Sequence, residues 1–214
     1  MRRLIHLMLS PTSRLVRLML GEKRIACDLV AAEDPCAHLP TYIELDGNSV
    51  TGLWAIVDHL ENEHPDHPLL PEDADTRGEA LRLLDWAMSN FHEEITKRIV
   101  FEKASQGHTG SIIRRPPNME TVRSGRQALK SALAGIGTLA EKRGFLAGRD
   151  VSLADLAVTA HLSALDYYGE VPWAENPAVT EWFARMKSRP SFRPMLADRV
   201  PGQPPVPHYA ELDF

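Results

Sequence analysis

The hydrophobic and polar positions change their spacing along the chain, and the first part contains short apolar runs. Residues 3–9 form one run that ends at Ser10-Pro11, and residues 25–30 form another, with a helical pattern between them. A strand, a helix and a second strand within about thirty residues are typical of a parallel βαβ unit. Asp46-Gly47 lies between two further runs and predicts a hairpin, and residues 53–61 predict an amphipathic helix. The pattern therefore predicts a small α/β unit.

The second part of the chain has the period of helices throughout. It follows a stretch rich in proline at residues 64–71, where a helix cannot continue. Long apolar patterns with helical spacing then dominate, and the last residues are again rich in proline. The predicted units are an α/β domain over residues 1–62, a linker over 63–73, an all-helical domain over 74–197 and an extended tail over 198–214.

One stretch of the second part predicts the start of a buried helix. Ser152 and Asp155 have the spacing of a capping box, in which the hydroxyl accepts the N–H of Asp155 and the carboxylate accepts the N–H of Ser152. The following residues, 153–165, are apolar on nearly every side, which indicates a helix at the centre of the domain. We therefore assign Ser152 and Asp155 a structural role.

Composition and charge exclude several classes of function. The net charge of −5 does not favour nucleic-acid binding, and no apolar run is long enough to span a membrane. Cys27 and Cys36 lack the spacing of metal ligands, and the nine histidines are scattered, so no metal site is expected. We expect a cytoplasmic protein without metal or nucleotide.

The order of these units and several short motifs resemble the glutathione transferase fold. Residues 10–14 resemble that family's first turn, where a catalytic Ser or Cys lies, and Leu39-Pro40 resembles the cis-proline before its third strand. Residues 151–155 resemble its capping box, and residues 189–192 resemble its ending. The resemblance implies a thioredoxin-like α/β N-terminal domain followed by an all-α C-terminal domain.

The residues that bind glutathione in this family are only partly matched. Ser10 stands at the position that resembles the catalytic residue, and Ser13 is a second hydroxyl, which is also expected to cap the first helix. The family's Glu-Ser or Gln-Ser pair, which holds the charged γ-glutamyl end, is replaced by Gly52-Leu53. We therefore expect no catalytic residue, no cofactor and no glutathione binding. A divergent glutathione-dependent transferase or isomerase that uses Ser10 or Ser13 remains the alternative.

The chain ends in Pro-His-Tyr-Ala-Glu-Leu-Asp-Phe at residues 207–214. This ending, on a fold without the Glu-Ser pair, resembles a narrower group, the FtsZ-binding FzlA family of glutathione-transferase-like cell-division proteins of alphaproteobacteria. That resemblance implies a dimer that binds FtsZ filaments, alters their curvature or bundling during cytokinesis, and is recruited to the division site. The partner-binding residues implied by it are Tyr209, Glu211, Leu212, Asp213 and Phe214. The plain alternative for this segment is a disordered terminus.

Basic residues of the helical unit offer a second surface for an acidic filament. Arg114, Arg115 and Arg123 belong to a basic cluster that could steer association in a salt-dependent manner. The other members of this cluster are Lys97, Arg98, Lys103, Arg126 and Lys130. The alternative is that these side chains are the ordinary solvated faces of two long helices.

Overall fold

The computed structural model describes residues 1–33, 39–104, 106–110 and 115–212. Within these residues, no helix is both long enough and apolar enough to cross a membrane. Arg114, Asp213 and Phe214, which belong to the predicted partner surfaces, lie outside the described residues.

The elements confirm an α/β unit followed by a helical unit. The strands are β1 (Arg3–His6), β2 (Asp28–Ala31), β3 (Thr41–Ile43) and β4 (Ser49–Thr51). The helices are α1 (Pro11–Glu22), α2 (Leu53–Glu63), α3 (Ala74–Trp86), a π-helical segment (Ala87–Thr96), α4 (Lys97–Lys103), α5 (Gln106–Thr109), α6 (Met119–Arg143), α7 (Leu153–Tyr167), α8 (Pro177–Lys187) and α9 (Arg193–Leu196).

The four strands form one mixed sheet in the order β2-β1-β3-β4. β1 runs parallel to β2 and antiparallel to β3, and β4 returns beside β3 through the predicted hairpin. Leu4 and Tyr42 are paired across β1 and β3, and both side chains are fully buried. Helix α1 connects the parallel strands and α2 packs against it. This is the thioredoxin-like arrangement implied by the resemblance.

Helix α7 is the centre of the molecule, because all of its residues are buried. Helices α1, α3 and α8 and the π-helical segment contact it. The predicted capping box is confirmed: the N–H of Ser152 donates to the Asp155 carboxylate at 3.0 Å, and both reciprocal bonds are present. A buried helix start needs such partners because its first N–H groups have none within the helix.

The first turn of α1 differs from the prediction that Ser13 caps this helix. The helix begins at Pro11, a residue favoured at a first helical position because it has no N–H to satisfy. Ser13 therefore lies inside the helix, where its hydroxyl accepts the N–H of Leu7 at 3.1 Å. The preceding Ser10 occupies the N-cap position without a side-chain capping bond.

The peptide bond before Pro40 corrects a second expectation. It is trans, whereas the family resemblance implied a cis bond. The trans form is the lower in energy for X–Pro bonds by about 0.5–1 kcal/mol. Pro40 is buried and keeps a structural role, since its carbonyl accepts the N–H of Gly52 at 2.9 Å.

The segment after α9 packs against the body, although its prolines predict an extended tail. Asp198, Val200 and Tyr209 are all at least 90% buried. The chain turns back at a short bridge between Val200 and Gln203 and then forms a 3-10 turn over Pro207–Ala210. The backbone N–H of Val206 donates to Tyr167 at the end of α7. The tail is therefore part of the folded unit as far as Ala210.

Candidate functional site

The turn between β1 and α1 is where a glutathione transferase would hold its catalytic hydroxyl. Ser10 is 8% exposed, and its hydroxyl is hydrogen-bonded to that of Thr12 at 2.9 Å. Ser13 is fully buried, and its hydroxyl accepts the N–H of Leu7. The N–H of Leu9 donates to the carbonyl of His108 at 2.8 Å, so α5 lies across this turn. Both predicted hydroxyls are thus directed to partners within the chain.

The site expected to hold the γ-glutamyl end lies between β4 and α2. Gly52 has a φ of +94°, a conformation that favours glycine, and its N–H donates to the carbonyl of Pro40. Leu53 is buried, and Trp54 is half exposed, so Trp54 is not a core residue of α2. Gly52 and Leu53 offer neither a carboxylate nor a hydroxyl at this position.

A buried ionic cluster joins the tail to α1. The guanidinium of Arg14 is fully buried and donates to Asp198 at 3.1 Å, and Arg17 makes two bonds of 2.8 Å to the same carboxylate. Arg14 also donates to Ser163 of α7 at 2.8 Å. Sequence reasoning missed this cluster, because its partners are separated by more than 140 residues.

Tyr209 belongs to this cluster and not to an exposed surface, which corrects the prediction for this residue. Its hydroxyl accepts a bond from Arg14 at 3.1 Å and donates to the carbonyl of Met195 at 3.0 Å. Its ring is fully buried against that of Tyr167, with 5.1 Å between the ring centres. Glu211 and Leu212 are exposed, and a partner surface at the end of the chain stays a prediction.

Most cations of the basic cluster among the described residues form ion pairs with carboxylates. Arg115 makes a two-pronged bond to Glu102, and Arg126 does the same to Glu170. Arg123 is exposed on α6. The other cations of the cluster that form ion pairs are Lys97 with Glu93, Arg98 with Glu94, Lys103 with Glu170 and Lys130 with Glu175. An ion pair carries little net charge, which weakens the positive field expected from these residues. The role of Arg115 and Arg123 as partner contacts stays a prediction.

Comparison with known proteins gives a match over the whole length. The chain is 39% identical to FtsZ-localized protein A of Caulobacter vibrioides, and the match covers 100% of this chain and 98% of that protein. The chain belongs to the FtsZ-localized protein A family. The crystal structure of FzlA from C. crescentus superimposes with a TM-score of 0.92 at 38% identity, over 100% of this chain and 99% of that one.

The family lies within the glutathione transferase fold. A family model for the C-terminal domain of glutathione S-transferases matches residues 105–185. A glutathione S-transferase structure from Rhodospirillum rubrum F11 superimposes with a TM-score of 0.93 at 38% identity, over the full length of both chains. The fold implied by the short motifs is therefore confirmed.

Proposed function

We propose that this chain is a non-enzymatic cell-division regulator that binds FtsZ filaments and alters their curvature or bundling during cytokinesis. The observation that carries the proposal is the 39% identity, over essentially the full length of both chains, to a protein whose name places it at FtsZ. Identity over both domains and the tail means that the comparison includes more than the shared fold.

The lack of enzymatic activity is supported by the geometry of the former transferase site. Ser10 and Ser13 are buried and hydrogen-bonded within the chain, and Gly52-Leu53 provides no charged partner for a zwitterionic ligand. A thiolate needs a free donor near the helix start to stabilise it. In this chain Ser13 is fully buried and Ser10 is only 8% exposed, which leaves little of either hydroxyl accessible to a bound thiol.

The filament contact is proposed to lie on the last residues of a homodimer. Glu211 and Leu212 are exposed directly after the buried Tyr209, and Asp213 and Phe214 follow them in the sequence. Since Tyr209 is held by Arg14, these residues leave the body at a fixed point. Two copies of a weak surface would bind a polymer through avidity, because the second contact becomes intramolecular.

The test is co-sedimentation with GTP-assembled FtsZ, with a chain that ends at Ala210 beside the full chain. This truncation keeps Tyr209 and its bonds, so we expect the same urea denaturation curve as for the full chain. We expect the full chain to pellet with filaments and the truncated chain to remain in the supernatant. A full chain that does not pellet would contradict the proposed function. Pelleting by both would move the contact onto the folded body.

A point substitution refines this test. Leu212→Ala removes an exposed apolar side chain from the proposed contact, and we expect it to weaken pelleting. Met119→Ala is the matched control, because Met119 is a comparably exposed apolar residue at the start of α6. Equal losses from both substitutions would argue against a specific role of the tail.

A divergent glutathione-dependent transferase is the second candidate, and one specific observation favours it. The R. rubrum protein, 38% identical over the full length, is described as a glutathione S-transferase. Titration of glutathione into the chain by calorimetry separates the two candidates. We expect no binding heat, and millimolar or tighter binding would support the transferase, with Ser10→Ala as the variant that tests its hydroxyl.

A further inference from the structure

Three side chains of the α/β unit converge at the end of α2, outside the former glutathione site. Glu44 follows β3, His59 lies on α2, and His64 is the residue at which that helix ends. The Nε2 atoms of His64 and His59 lie 2.5 Å and 3.3 Å from the same Glu44 oxygen, Oε1. All three potential ligand atoms lie within 4.8 Å of one another.

The backbone holds these side chains in place from both sides. Glu44 is fixed by the hairpin, where its N–H donates to Asn48 across the turn at 2.8 Å. The buried ammonium of Lys23 donates to the carbonyl of His64 at 2.8 Å and pairs with Glu61. His64, directly after α2, is thereby held against the end of α1. Its position does not depend on a free loop.

The carboxylate of Glu44 is itself oriented by neighbours that are not part of the trio. Arg2 donates to its Oε2 at 2.7 Å, and the hydroxyl of Tyr42 donates to its Oε1 at 3.0 Å. Its two oxygens therefore have fixed positions that do not depend on the histidines alone. Groups that hold a ligand in this way are the usual outer partners of metal sites.

The distances suit a small divalent cation. Bonds of about 2.0–2.1 Å in a tetrahedral arrangement place ligand atoms about 3.3–3.4 Å apart. The separation between His59 and Glu44 already has this value, and His64 must retreat from Glu44 by less than about 1 Å. Two imidazoles and one carboxylate form a ligand set typical of zinc with one position open to water.

The charge of the surroundings also favours a cation. Asp46 and Glu63 line the same open cleft as the three ligands. Their carboxylates outweigh the single positive charge of Arg2, so the cleft carries net negative charge with the imidazoles neutral. The cleft also leaves a path by which an ion enters from solvent.

From this convergence we propose that Glu44, His59 and His64 form a binding site for one divalent transition-metal ion, with Zn²⁺ as its natural probe. The ion would join the β3–β4 hairpin to the end of α2 and to the linker that leads into the helical unit. Histidine ligands five residues apart with a distant glutamate do not match a linear motif, which explains why the sequence predicted no metal.

The experiment is calorimetric titration of ZnCl₂ into the full chain and into a variant that carries both His59→Gln and His64→Gln. Glutamine can still donate a hydrogen bond to Glu44 but lacks the ring nitrogen that binds the ion. We expect one Zn²⁺ per chain for the unaltered protein, and binding weaker by about tenfold or more in the double variant. His67→Asn is the control, because His67 is exposed, lies outside the cluster and has a φ of +55°, which asparagine tolerates.

The results separate a metal site from a cluster that only forms hydrogen bonds. Circular dichroism must show that all variants are folded, and His67→Asn is expected to bind Zn²⁺ as the unaltered chain does. An unaltered chain that binds no Zn²⁺ would overturn the proposal. Equal affinity of the double variant would overturn it as well, and would move the ion to another site. Neither result bears on FtsZ binding.

Discussion

The surroundings of the two halves of helix α7 each contain a buried carboxylate, and the two carboxylates are held in opposite ways. At its start, Asp155 accepts hydrogen bonds from the N–H groups of Leu146 and Ser152 and from the indole of Trp182, at 2.9–3.0 Å. The second half of α7 is bonded through Ser163 to Arg14 of the buried ionic cluster. In that cluster, called the charged half below, Asp198 of the tail pairs with the guanidinium groups of Arg14 and Arg17. The first arrangement uses neutral dipoles and the second uses full charges.

The difference matters for what each half tolerates. Burial raises the pKa of the Asp155 carboxyl, and the hydrogen bonds from Leu146, Trp182 and Ser152 oppose that rise. Loss of the charge on Asp155 leaves no cation uncompensated. Loss of the charge on Asp198 leaves the buried Arg14 without its carboxylate, and an isolated buried charge is costly. The charged half is therefore the more fragile one, although it has the stronger contacts.

The largest expected effect comes from Asp198→Asn. We expect the free energy of unfolding to fall by about 3–5 kcal/mol, as for other broken buried ion pairs. Urea denaturation of the folded variant measures this loss, and Asp66→Asn in the exposed linker is the matched control. A loss below about 1 kcal/mol would mean that water or a rearranged Tyr209 replaces the carboxylate, and the comparison would then fail.

A smaller effect is expected from the same exchange at the other half, Asp155→Asn. The amide keeps one acceptor oxygen but presents an NH₂ group to half of the donors, so one or two N–H groups lose their partner. We expect a loss of about 1–3 kcal/mol in the free energy of unfolding. If Asp155→Asn costs as much as Asp198→Asn, the distinction between neutral and charged partners does not govern stability here.

These two halves also show what could be predicted from sequence. Ser152 and Asp155 are three residues apart, and their geometry follows from helix capping alone, so the start of α7 was predicted correctly. The hairpin at Asp46-Gly47 and the order of the units could also be predicted, because their signals are local in the sequence. Each of these signals depends on residues that are neighbours in the chain.

The charged half could not be predicted, because its partners meet only after the whole chain has folded. Arg14 and Asp198 are 184 residues apart, and nothing in their local sequence links them. The proline-rich end of the chain predicts that Tyr209 is exposed. In the structure Tyr209 is buried, because Arg14 provides a partner for its hydroxyl. The cluster of Glu44, His59 and His64 escaped prediction for the same reason, since a hairpin and a helix end bring it together.

The expected effect that is smallest at neutral pH is the pH dependence that His6 adds to the charged half. His6 lies at the end of β1 and is 8% exposed. Burial lowers the pKa of His6 to about 4, the charges of Arg17 and Arg14 lower it as well, and Asp198 opposes them. In the unfolded chain a histidine takes up its proton at about pH 6.5. Between these two values the unfolded chain binds more protons, so stability falls as the pH is lowered from about 6.5 towards 4.

The variant His6→Asn isolates this contribution. A single histidine can supply a slope of at most about 1.4 kcal/mol per pH unit. We expect the variant to lose this part of the slope in urea denaturation between about pH 4.5 and 7, while His67→Asn keeps it. An unchanged slope in His6→Asn would show that His6 becomes protonated in the folded chain without a penalty. Asp198 would then be shielding it from Arg17, and the charged half would be less sensitive to acid than its cations suggest.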